Sequence, residues 1–210
     1  MEDEIDRLVK PLIGKSPFGV EFQICVKLTE LMKEAFLLRE KSFGEKLAGI
    51  KQLVHKAFPI NPFEKKEFFD IVQTLHPLSD ALDKGAACCR YHSTLFFILG
   101  LVSNLGTKHF LHGQIQYRTV YNTVVDGESV YNISTFQESF KDPSKSYIKN
   151  MESVFNTPHI HSSDPNEEFF CYEVTNGNPV LHITKKFQAL IPQETIERYV
   201  QLKKKFGIFE

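Results

Sequence analysis

The segment KGAACCRYHSTLFFILG, residues 84–100, decides how the chain is to be read. A glycine-led turn runs into two adjacent cysteines, and an apolar run follows: Leu95, Phe96, Phe97, Ile98 and Leu99, with Leu101, Val102 and Leu105 beyond. Apolar residues on every side of a helix predict one placed in the middle of a domain, here opening at about Cys88 or Cys89. Gly85 before it and Gly100 within it predict close backbone approach, although Gly100 costs a helix roughly 1 kcal/mol against alanine. A thiol in the first turn of such a helix meets the positive end of the dipole and unpaired backbone N–H groups. Both favour the thiolate, and Arg90 pushes the same way. The competing reading is a buried structural residue, since free cysteine is among the most buried residue types.

The hydrophobic period differs on the two sides of this helix. Before it, Ile24, Leu28, Leu31, Ala35 and Leu38 form one apolar stripe of a long helix, and Leu47, Ile50 and Val54 continue the pattern after a break near Ser42-Phe43-Gly44. Two such segments predict a helical hairpin. FPINPF at 58–63 is a loop by its two prolines, a helix follows over about 64–75, and HPLSDALDKG at 76–85 offers a short helical turn at most. After Gly106, KHFLHGQIQYRTVYNTVVDGESVYNIS at 108–134 carries β-branched and aromatic residues in rough alternation, with Asp126-Gly127 as a hairpin turn. EEFFCYEVTNGNPVLHIT at 167–184 repeats this around Asn176-Gly177. A helix is expected over 136–155, a loop over 156–167 and an amphipathic helix over about 192–205. Helices first and antiparallel hairpins afterwards predict an α+β fold, with a helical subdomain at 1–84 and an α+β core at 85–210.

Composition narrows the function. The formal net charge of −1 gives no basic field for nucleic acid, and Lys203-Lys204-Lys205 closes an expected helix, where lysine complements the dipole. The start, MEDEIDRLVKPLIG, lacks the basic region and apolar core of a signal peptide, and the run at 95–102 is too short to span a membrane. The four cysteines do not read as a disulfide framework, so an intracellular chain with reduced thiols is expected.

The stretch GAACCRYHSTLFFILGLVSNLGTKHFLHGQI resembles the core of the transglutaminase-like superfamily, relatives of papain-type cysteine proteases. Cys89-Arg90, Ser93, Leu95-Phe96, Leu105-Gly106 and His112-Gly113 fall in the family's order, and Val120, Tyr121, Asn122, Asp126-Gly127 and Tyr131 fit its following strand pair. The resemblance covers about residues 85–134. It implies a central cysteine helix packed on an antiparallel sheet, and acyl transfer at an amide of a protein substrate: proteolysis, glutamine deamidation or cross-linking. Cys89 would be the nucleophile, backbone N–H groups at the helix start would hold the oxyanion, and no cofactor is needed.

The family's histidine and aspartate positions hold Thr119 and Asn132. Threonine cannot serve as the base, whereas asparagine can orient an imidazole. A histidine elsewhere in the chain would then act, His161 first and His112 second, with Asn132 or Asp164 as the orienting group. His92, one helical turn from Cys89, reads as structural. His159 and His161 could share a zinc ion with Cys171 or Asp164, but the spacing of a dense ligand set is missing, so no metal is expected. The rival reading is a catalytically degenerate member of this fold that binds a protein partner through its N-terminal helices. An isolated thiol core of this size would also suit a bacterial effector delivered into a host cell.

Overall fold

The computed structural model describes residues 1–60, 77–114, 119–127, 129–134, 147–150 and 168–184. Its helices are α1 (Glu2–Val9), α2 (Val26–Phe36), α3 (Phe43–Ala57), α4 (Leu78–Lys84) and α5 (Cys89–Ser103). Its strands are β1 (Lys108–Gln114), β2 (Thr119–Asp126), β3 (Ser129–Ser134), β4 (Tyr147–Asn150), β5 (Phe169–Thr175) and β6 (Asn178–Thr184). They form one antiparallel sheet in the order β4-β3-β2-β1-β5-β6, so the fold is α+β. No helix among the described residues is long and apolar enough to cross a membrane.

Helix α5 is the axis of the molecule. Every residue from Tyr91 to Ser103 is buried, as its all-round apolar pattern requires. One side lies across β1 and β2, where Leu111, Val120 and Val124 join its core. The other sides are covered by α1, α2 and α3 through Ile5, Leu28, Met32, Ile50 and Val54. A single hydrophobic core therefore crosses the change of pattern at residue 84. Asn104 ends α5 in the left-handed region (φ 55°), and the last carbonyls meet cations: Arg39 Nε donates to Val102 O at 2.7 Å and Lys46 Nζ to Asn104 O at 3.1 Å.

Local rules explain most boundaries. Ser42 caps α3 in a reciprocal capping box with Glu45, which is why the expected break near Ser42 is a helix start. Ile24, counted in the long helical stripe, lies before α2 and is 45 % exposed, while Leu28, Leu31 and Ala35 are buried as expected. Asn176 and Gly177 both have positive φ (52° and 77°), the requirement of a tight type I′ hairpin between β5 and β6. The helix expected over 136–155 is corrected at Tyr147–Asn150, which pairs with Tyr131–Ser134 as β4. An open strand edge satisfies the backbone groups of this short segment, which carries no strong helical period to compete. The helices expected at 64–75 and 192–205 and the loop at 156–167 lie outside the described residues.

Candidate active site at the start of the central helix

The site is built by a turn, a helix start and a strand. Helix α4 ends on Gly85 in the left-handed conformation (φ 65°), and Ala86 is held by a bridge to Ile60. Cys88 is then the extended N-cap of α5 (φ −94°, ψ −179°) and Cys89 its first residue. No side-chain bond from Cys88 closes the cap in the usual way. Its sulfur is instead occupied by its neighbours. Cys88 is only 5 % exposed, whereas Cys89 is half-buried. All four cysteines are thiols, with no disulfide between them.

The two sulfurs share a hydrogen bond and divide their acidity unequally. The Cys89 thiol donates to Cys88, and the Arg90 guanidinium adds a further hydrogen bond and its charge; together they outweigh burial and draw Cys88 down to about 6. Cys89 is pushed up, first because it keeps the proton it offers to Cys88 and then because of burial; a hydrogen bond from the Val120 N–H opposes both. Arg90 and the shared hydrogen bond thus favour the charged form of Cys88, while the same bond and burial oppose it on Cys89. Arg90 is itself positioned, since Nη1 donates to Phe18 O at 3.2 Å from a turn in which Phe18 has φ 53°. Val120 ties the strand to the helix twice, because its carbonyl also accepts from Ser93 Oγ at 2.8 Å.

A second polar group lies toward the far end of α5. His109 is fully buried between Phe96 and Phe97, both edge-on to its ring at 5.7 and 4.9 Å. Asn122 Nδ2 donates to Ser93 O at 3.1 Å, which turns Oδ1 toward His109 Nε2 at 2.7 Å, so that nitrogen carries the proton. Tyr172 Oη donates to Leu105 O at 2.8 Å and lies 3.1 Å from His109 Nδ1. Gly100 makes the room: a Cβ there would stand 2.7 Å from Nδ1 and 3.3 Å from the Tyr172 hydroxyl. The close approach expected at Gly100 is thus to side-chain rings, not to backbone. A glycine inside an all-apolar helix was one sequence signal for this network and the fit of Asn122 to the strand-pair pattern another; Tyr172 carried none.

The remaining candidates are placed as follows. His92 is buried with its ring 4.8 Å from that of Phe58, and burial lowers it to about 3. His112 pairs with Tyr121, and Asn132 lies between Thr123 and Lys149. The strand positions that pack on α5 are His109, Leu111, Val120, Asn122, Val124 and Ile133. His161 and Asp164 lie outside the described residues, as does His159. Cys171 is buried on β5 opposite Phe110, and burial raises its thiol. No group of three or more metal-binding side chains occurs among the described residues.

A half-buried thiol beside a thiolate, at a helix start and next to an arginine, has the parts for nucleophilic chemistry at a carbonyl. Compared with protein-family models, curated proteins and solved structures, the chain matches none of them.

Proposed function

We propose that the protein is a thiol-dependent acyl-transfer enzyme acting on an amide of a protein substrate, as a protease, glutamine deamidase or transglutaminase. The observation that supports this is the unequal sulfur pair at the start of α5, with Arg90 held beside it by Phe18 O. Cys89 is the more accessible sulfur and takes the nucleophile's part. As it attacks the carbonyl carbon, its proton passes along the existing hydrogen bond to Cys88. The C–N bond then breaks, and Cys88 returns that proton to the departing nitrogen, leaving a thioester on Cys89 for water or an amine. Arg90 favours the charged form of Cys88, so this sulfur can take the proton and return it. Cys88 thereby fills the role for which the sequence offers His161 or His112 with Asp164 or Asn132.

A second reading is the degenerate fold that serves as a protein-interaction module. It is favoured by the near-complete burial of Cys88 and by Thr119 and Asn132 at the family's catalytic positions.

Hydroxylamine intercepts acyl-enzymes, so casein with hydroxylamine is the test. Acyl transfer yields protein hydroxamate and released ammonia or peptide, lost in Cys89→Ala and reduced at least tenfold in Cys88→Ser. A rate equal in native protein and Cys89→Ala overturns the enzyme reading. So does iodoacetamide labelling of the pair at pH ~6 no faster than that of cysteine in a short unstructured peptide, because an ordinary thiol of pKa ~8.5 is almost wholly protonated there.

A further inference from the structure

We infer that Asn176 is a site of spontaneous deamidation, and that the Asn104 side chain at the end of α5 controls its rate. Asn176 is the only asparagine in the chain followed by glycine, the neighbour whose backbone nitrogen no side chain shields. The pairing of Thr175 with Asn178 leaves Asn176 and Gly177 as the two turn residues, outside the ladder of β5 and β6. Both are exposed, and a Cβ at Gly177 would meet nothing within 4 Å. The Asn176 side chain makes no hydrogen bond among the described residues, and its backbone carbonyl accepts from Asn178 Nδ2 at 3.3 Å. The tip is tied to the central helix at Gly177 O, which accepts from Asn104 Nδ2 at 2.8 Å. Asn104 is the left-handed cap (φ 55°) of α5.

In this reaction the Gly177 amide nitrogen gives up its proton and attacks Asn176 Cγ. The Cγ–Nδ2 bond breaks, and that nitrogen leaves as ammonia with the proton, closing a succinimide. Water then opens the ring at either carbonyl, giving aspartate or isoaspartate. One water is consumed, one ammonia is released and nothing is oxidised. Ring closure swings the Gly177 nitrogen toward Cγ by rotating Asn176 ψ out of its type I′ value, so attack proceeds when the tip opens. The Asn104–Gly177 hydrogen bond opposes that opening. Isoaspartate carries one more main-chain carbon, which the two-residue turn cannot hold in the Thr175–Asn178 register. Either product also places a carboxylate next to the Gly177 carbonyl that meets the end of α5, where the helix dipole is negative. Deamidation thereby parts the tip of the β5–β6 hairpin from the central helix.

Full-length protein is held at mildly alkaline pH and physiological temperature, sampled over days and cleaved after Glu173 and Glu194, which releases residues 174–194. The other asparagine in that peptide, Asn178, precedes Pro179, whose nitrogen has no proton to give. The expected result is a peptide heavier by the exchange of NH2 for OH, which accepts a methyl group from an isoaspartyl methyltransferase. It should form ahead of any change at the other asparagines; a sample digested at once sets the background. Asn104→Gly keeps the left-handed cap while removing the Nδ2 donor. It should deamidate about fivefold faster, the ratio set by one hydrogen bond of ordinary net strength. A synthetic peptide of residues 171–182, with no α5 to hold it, should react faster than either protein. Deamidation at Asn176 no faster than at the other asparagines overturns the site. Equal rates in native protein and Asn104→Gly, or a peptide no faster than the native protein, overturn the control by α5.

Discussion

At His109 both ring nitrogens face atoms that are already committed. Asn122 Oδ1 needs the Nε2 proton, and the single Tyr172 hydroxyl proton is divided between Leu105 O and Nδ1. A second ring proton would satisfy the geometry, yet burial opposes the charge and lowers His109 to about 3. His92 is held at a similar value for the same reason. Above the unfolded value of about 6.5 neither state binds a proton, so these rings add no pH dependence there. As pH falls from about 6.5 toward 3 the unfolded chain takes up protons that the folded chain refuses. Stability is then lost at up to ~1.4 kcal/mol per pH unit for each ring. Urea titrations of native protein and His109→Gln between pH 7 and pH 4.5 check this. The variant, whatever its stability at pH 7, should show a slope shallower by about one proton. Equal slopes would mean that the folded protein carries His109 as the imidazolium.

At the scale of elements, glycines separate what a pattern reveals from what only packing reveals. Alanine is the better helix former by about 1 kcal/mol, so propensity alone has Gly100→Ala stabilise α5. The contacts at 2.7 and 2.8 Å to His109 reverse the sign, and overpacking should cost about 1–3 kcal/mol net, read as a lower midpoint in thermal or urea melts. Shrinking the ring in Gly100→Ala/His109→Ser should recover part of that loss. Two of the left-handed glycines, Gly177 and Gly106, divide similarly. Gly177 has open space around a Cβ, so Gly177→Ala costs only the conformational term, about 1–2 kcal/mol. At Gly106 a Cβ would stand 2.4 Å from Val125 O, and Gly106→Ala should cost several-fold more. The turn at Asn176-Gly177 was legible because its chemistry is local, and α5 was legible because burial on all sides leaves an unbroken apolar run. The strand at Tyr147–Asn150 was not, because four residues hold no period and their pairing with β3 is set by tertiary contact. The sulfur pair was visible at once, yet how its acidity divides depends on which sulfur meets Arg90 and which meets Val120, contacts that tertiary packing sets and periodicity does not resolve.

For the whole molecule, the question is whether the pattern change at residue 84 is also a boundary of stability. The sheet covers one side of α5, and its other sides rest on α1, α2 and α3, so Leu28, Met32, Ile50 and Val54 share one core with Leu95, Phe96 and Ile98. Fully burying each such side chain contributes about 1.5–3 kcal/mol. Uncovering several of them removes about as much as the roughly 5–15 kcal/mol by which a domain of this kind is stable. Arg39 and Lys46, which meet the last carbonyls of α5, also come from the N-terminal part, as does the Phe18 carbonyl that holds Arg90 beside Cys88. A fragment of residues 85–210 should therefore lack a cooperative urea transition and show collapsed, poorly dispersed amide resonances, while the full chain unfolds in one step. Adding residues 1–84 in trans should restore dispersion, and with it the fast alkylation of the sulfur pair at pH ~6. A fragment that unfolds cooperatively alone, with its sulfurs as reactive as those of the full chain, would instead make the N-terminal helices a separate module and Arg90's anchor at Phe18 dispensable.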